Sequence, residues 1–437
     1  MMATPGNGRG IVRRHRGKIV FSLSVFAGLL TAGSVFLWLV KRWLYRQQLR
    51  LTEQHFIREQ IRRRFAQTQE DSLYALYELI PVFSLVVGRK LDLEELVIAL
   101  RDKKLNKMGN RASDDGVSSG ISTSVTSNGT PGSLQGNAET RSKAELWNDL
   151  KIKSIVKLVT VVYTVSSLLL LTRLQLNILT RREYLETAVK MAVEKEGKDE
   201  GLGNWFKSIW TDARAKESSS SSTTSSSFMG NSKTSYINEQ AFLSLSWWLL
   251  NRGWLEYETV AQESVESEFG NLSPRDTLPL EEFSNRLTNV FVNVNEKILK
   301  SSQLQQALLP SRQMELFVLQ QTLDPEALGV VQRDSTVLSQ LLNETTQCIE
   351  STASAMVLES LINESFQYIM TQVEANTSTK KRSGQGYQIA VFSIACKDCC
   401  TSVLKSGVVS MDNELLSRLD TCPQLEDLSA SVYSNFG

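Results

Sequence analysis

The chain has 437 residues, enough to bury a sizeable core in one or two domains. Its formal net charge is +1, so no bulk field points to nucleic acid or to an acidic ligand. Only two histidines occur, His15 and His55, both near the amino terminus, which excludes a histidine-based catalytic centre in the main body.

In chain order, residues 1–18 form a Gly- and Arg-rich basic tail. Residues 19–40 (IVFSLSVFAGLLTAGSVFLWLV) carry no charge. The run of about 22 residues is long enough to span a bilayer. Trp38, Trp43 and Tyr45 sit at its distal end, where interfacial aromatics are expected. A cleaved signal peptide would have a shorter apolar core and small residues before a cut site, whereas Lys41 and Arg42 follow directly here. The run reads as an uncleaved anchor. The denser Lys/Arg cluster beyond it places the large carboxy-terminal part in the cytosol.

Residues 41–70 read as a basic juxtamembrane helix with interleaved apolar residues, either solvated or attracted to anionic headgroups. From Asp71 to Lys104 two helices are expected, broken near Pro81 and Gly88. The second has Leu93, Leu96, Val97 and Leu100 on one face. Residues 109–142 are Ser/Gly/Thr/Asn-rich and read as a disordered loop, as do 213–235 and 376–387.

Between the first two loops lies a stretch from Lys143 to Leu185 without Pro or Gly and with apolar residues at helical spacing. One long helix is expected. Leu158 to Thr172 carries no charge, and Lys157 and Arg173 bracket it. A helix apolar all round is buried in lipid or in a large core. The run is about 15 residues, short of the 20 or so that a span needs, which favours a core helix.

Further helices are expected over Ile237–Leu255 with Gly253 as a stop, Glu281–Lys300, Ser301–Leu319 interrupted at Pro310, and Asp334–Glu374 with a break around Ser351–Ser354. Gln388–Val409 fits strand or helix, and a short helix is expected near Met411–Leu419.

The chemistry-bearing motifs are few. Cys396-x-x-Cys399-Cys400 lacks the second Cys/His pair that a structural zinc site needs. The five cysteines are odd in number and unevenly spaced, unlike a disulfide framework, so the main body reads as facing a reducing compartment. The N-x-S/T sequons, such as Asn343, then read as chance. No Walker loop, GxGxxG or Gly-x-Ser-x-Gly elbow is present. No enzyme and no cofactor is indicated. Lys143, Trp147, Leu150 and Lys151 are spaced i, i+4, i+7, i+8 and share one face at the start of the long helix. An exposed Trp and Leu rimmed by Lys would form a hot spot for an apolar partner with acidic flanks. Alternatively, Trp147 staples the helix start onto its own core.

The ordered set of features resembles the peroxin-3 family of peroxisomal biogenesis factors. The features are the basic tail, anchor, basic helix and helical body, then ELWNDLK running into LVTVVYTVSSLLLLTRLQLNIL, then Leu341-Leu342-Asn343-Glu344-Thr345 followed by Glu350-Ser351 and Val357-Leu358. The resemblance implies an all-α architecture, with one amino-terminal transmembrane helix and a cytosolic twisted bundle (71–437) around the long helix. It implies a single-pass docking receptor in the peroxisomal or ER membrane. The partner would be the amino-terminal amphipathic helix of peroxin-19, a chaperone bringing newly made membrane proteins, with contact to those cargoes only indirect. By motif match, Trp147, Leu150, Lys143 and Lys151 fall in the partner groove, with Leu100 and Val97 on its opposite wall. The competing reading is a two-span organelle membrane protein with a structural or tethering role.

Overall fold

The computed structural model describes residues 38, 41–43, 58–112, 141–196, 227–299, 302–380, 386–405 and 412–434. The tail over 1–18, the anchor over 19–40 except Trp38, and residues 113–140, 213–226 and 381–385 of the three expected loops lie outside the described residues, whereas 109–112, 227–235 and 376–378, also expected as loop, are helical. The chain divides into two compact units, 1–66 and 67–437. In the first, Trp38 and Trp43 are exposed, and the Arg42 guanidinium lies 5.1 Å from the Trp38 ring centroid. Arg63 pairs with Glu59 one helical turn earlier at 3.0 Å.

The described part of the second unit is almost wholly helical, in keeping with the all-α class expected. Helix α1 (Arg58–Lys90) begins in the first unit and is followed by α2 (Leu93–Ala112). The expected break at Pro81 is absent, because α1 runs through it. Its buried face explains this: Leu76, Ile80, Phe83 and Val87 recur every three or four residues and enter the core. That burial outweighs the roughly 3 kcal/mol that an interior Pro costs. The break falls instead at residues 91–92, where the Asp92 carboxylate accepts from the backbone N–H of Glu94 (2.9 Å) and Glu95 (3.1 Å).

Helix α3 (Lys143–Glu196) is 54 residues long and forms the axis of this unit. In its most apolar 18-residue window, 94% of the residues are buried. The core-helix expectation therefore holds, and a lipid-facing second span is contradicted. The two charges that bracket the uncharged run are accommodated by partners. Lys157 donates to the Leu91 carbonyl at 2.9 Å, and the buried Arg173 guanidinium pairs with Asp420. Two interior tyrosine hydroxyls also find partners. Tyr163 donates to Asn295 at 2.6 Å, and the Ser167 and Tyr257 hydroxyls lie 2.8 Å apart.

The remaining helices pack around this axis. They are α4 (Ser227–Ser244), α5 (Trp254–Phe269), α6 (Leu280–Ile298), α7 (Ser302–Leu308), α8 (Arg312–Thr322), α9 (Pro325–Arg333), α10 (Thr336–Glu350), α11 (Thr352–Ser378), α12 (Ile389–Leu404), α13 (Glu414–Asp420) and α14 (Pro423–Ser434). Pro310 separates α7 from α8, and the Ser351 hydroxyl caps α11, as the local sequence predicts. Helices α9 and α14 were not anticipated. Gly253 does not stop a helix, since a π turn (Leu249–Gly253) leads straight into α5. A Cβ at Gly253 would lie 1.8 Å from the Ala307 carbonyl oxygen, so glycine is there for close approach of α7. Two antiparallel pairs, Thr277 with Gln388 and Leu278 with Tyr387, form a minimal ribbon of β1 (Thr277–Leu278) and β2 (Tyr387–Gln388).

Candidate functional site

A second, smaller hydrophobic core lies apart from the main one. It contains Leu93, Leu96 and Leu100 from α2 and Leu146 and Leu150 from the start of α3. Val97, Ala99, Trp147 and Ile394 pack on it while partly buried. Ile98, the next residue on α2, is 55% exposed.

Local chemistry builds this corner. The Ser142 hydroxyl accepts from the Glu145 N–H (3.2 Å), and the Glu145 carboxylate accepts from the Ser142 N–H (2.8 Å). This reciprocal capping box fixes the first turn of α3. It was legible in the sequence as Ser-Lys-Ala-Glu and would have set the helix start. Arg141 bridges to Asp149 at 2.8 Å, and the Lys103 ammonium donates to the Arg141 carbonyl, tying α2 to the approach of α3. Lys397 of α12 pairs with Glu94 of α2 at 2.7 Å.

The structure brings the predicted site residues to one corner, but not all on its surface. Lys143 is exposed, and Trp147 and Val97 are half-buried. Leu150 is fully buried and Leu100 nearly so, which corrects the expectation of an exposed leucine beside Trp147. Two amphipathic faces meeting at a helix corner bury their leucines against each other and leave Trp147 as a lid. Spacing could not reveal Ile98, because it faces away from the apolar stripe of α2.

Lys151 is a clearer correction. It is fully buried and is no rim charge. Its ammonium donates to the carbonyls of Phe269 (2.7 Å), Gly270 (3.4 Å) and Leu272 (2.5 Å), closing the carboxy-terminal end of α5. A cation there also meets the negative end of the helix dipole. Burial pulls the Lys151 pKa down, and Asp276 opposes that. We expect Lys151→Met to lower stability by about 1.5–3 kcal/mol, the cost of losing charge-assisted bonds and stranding buried carbonyls. Chemical denaturation of the helical signal checks this; an unchanged midpoint would return Lys151 to the surface.

Among the described residues, no reactive group borders the corner. The thiols of α12 are buried, which pushes Cys399 up to about 12 and Cys396 and Cys400 upward as well. Such thiols are poor nucleophiles near neutral pH. What remains accessible is an apolar surface of Trp147 and Val97 beside the exposed cations Lys143, Arg101 and Lys104. It suits an apolar helix face with acidic flanks.

The Peroxin-3 family profile matches residues 10–435. The chain is 49% identical to the peroxisomal biogenesis factor 3 of Eremothecium gossypii, over 98% of this chain and 99% of that one. It is 48% identical to that of Saccharomyces cerevisiae, over 100% of this chain and 98% of the relative. A protein of Komagataella phaffii called peroxisomal membrane protein PEX3 is 29% identical over 98% of both chains.

Proposed function

Because the chain belongs to the Peroxin-3 family, whose role is in peroxisome biogenesis, we propose that it is the peroxisomal membrane docking receptor for the peroxin-19 chaperone. Peroxin-19 would deliver newly made membrane proteins, and the receptor would act by binding alone. The observation that carries this reading is the α2–α3 corner. There Trp147 and Val97 present apolar surface beside Lys143, on a wall braced by its own small core. An amphipathic helix would lay its apolar face across these side chains, with its acidic flank toward the cations. Titration of the chain with the amino-terminal helix of peroxin-19, followed by fluorescence anisotropy, tests it. Saturable 1:1 binding is expected, and no binding at any attainable concentration would remove the docking role. Lys143→Ala should slow association and reduce its salt dependence, whereas Lys151→Met should change neither, since only the first charge is exposed.

Residues 19–40 would fix the chain in the peroxisomal membrane by one span, with the helical unit in the cytosol. The name of the Komagataella relative and the length of the uncharged run support this. Alkaline extraction of a chain lacking residues 1–45 should release it into the supernatant. Retention in the pellet would refute a single anchor.

A further inference from the structure

Helix α4 carries two exposed apolar side chains, Tyr236 and Leu243, next to Trp247 and Phe317, which are half-buried against the main core. Tyr236, Gln240 and Leu243 follow one another at i, i+4 and i+7 and so share a stripe on one face of α4, and Trp247 follows in the short helical turn Ser246–Trp248. Tyr236 is 65% exposed and Leu243 38%. Phe317 of α8 meets Trp247 edge-on with 6.1 Å between ring centroids, widening the stripe onto a second helix. The Ser244 and Thr322 hydroxyls, 3.0 Å apart, tie the two helices together there. This surface involves none of the residues of the α2–α3 corner.

The chain itself holds a matching segment. Residues 203–212 read GNWFKSIWTD, and Trp205, Phe206, Ile209 and Trp210 are spaced i, i+1, i+4, i+5. That spacing gathers apolar side chains on one helix face. Residues 211–226, sixteen in number and mostly Ser and Thr toward their end, join Trp210 to Ser227, the first residue of α4. A Ser-rich tether of that length has a root-mean-square reach of about 20–24 Å. At the helical rise, Tyr236 lies about 14 Å from Ser227 and Leu243 about 24 Å. A tether whose reach matches the span gives the highest effective concentration of the segment at the stripe.

We propose that the segment 203–212 docks in cis on the α4 stripe, seating Trp205, Phe206, Ile209 and Trp210 over Tyr236, Leu243, Trp247 and Phe317. The contact shields two apolar faces that would otherwise both meet water.

Hydroxyl-radical footprinting of the full chain in lipid nanodiscs tests this. Tyr236 and Trp247 should be oxidised several-fold more slowly in the wild type than in a Trp205→Ser/Trp210→Ser variant. The difference should persist on dilution and when the lipid is exchanged for an amphipathic polymer. The reciprocal variant, Leu243→Lys, should raise the oxidation of Trp205 and Trp210. Equal rates in wild type and both variants overturn the proposal. A difference that fades on dilution assigns the stripe to a second copy of the chain, and one that is lost with the lipid assigns the tryptophans to the membrane surface; either outcome overturns docking in cis.

Discussion

Leu168→Asp, and separately Leu170→Asp, should unfold the helical unit. Both leucines are fully buried at the middle of α3, where the neighbouring side chains from Val165 to Leu171 are also buried. A carboxylate placed there has no cation to meet. Arg173 is committed to Asp420, and Lys157 to the Leu91 carbonyl. Burying an unpaired ionisable group, together with the lost leucine packing, costs several kcal/mol or more. A domain's whole stability is about 5–15 kcal/mol. Thermal unfolding followed by circular dichroism should show loss of the cooperative transition, whereas Leu168→Met should cost less than about 1.5 kcal/mol. Wild-type melting of both Asp variants would mean that α3 is not the centre of the core.

Trp147→Ala should weaken binding of the peroxin-19 helix by about 2–4 kcal/mol, which is roughly 30- to 1000-fold in affinity. The half-buried indole is the largest accessible apolar group at the α2–α3 corner, and the five leucines beneath it hold it in place. Those leucines also supply the control. Leu150 is fully buried, so Leu150→Ala acts by opening a cavity and loosening α2 from α3. Trp147→Ala should therefore lose affinity with its helical signal and melting temperature nearly intact, whereas Leu150→Ala should lose stability first. Calorimetric titration alongside thermal melts separates the two. Equal affinity of Trp147→Ala and wild type would leave Trp147 as a lid on its own small core. Parallel loss of affinity and stability in both variants would say the same.

Much of this architecture was legible locally. The long helix follows from an unbroken apolar periodicity, and its uncharged middle implied burial. The division at Pro310 and the cap at Ser351 depend on a few adjacent residues, so they too could be read from the chain. The cluster of Leu93, Leu96 and Leu100 was likewise written in the spacing of α2.

Tertiary contacts decided the rest, because the deciding partners are distant in sequence. Lys151 reads as a surface charge until the chain places the Phe269 carbonyl, 118 residues away, against its ammonium. Arg173 is tolerated inside because Asp420 lies 247 residues on. Gly253 looks like a helix stop, yet the carbonyl of Ala307 occupies the place of its Cβ. Pro81 remains helical because the face around it is buried by the core. The sequence by itself determined the long helix and most of the others, with their apolar faces, since these follow from neighbours within a turn or two; α9, α14 and the first turns of α4 were not read from it. Only the tertiary structure decided which charges are buried, which leucines are sealed beneath Trp147 and which apolar residues stay in reach of a partner, since each depends on what a second helix brings to the same place.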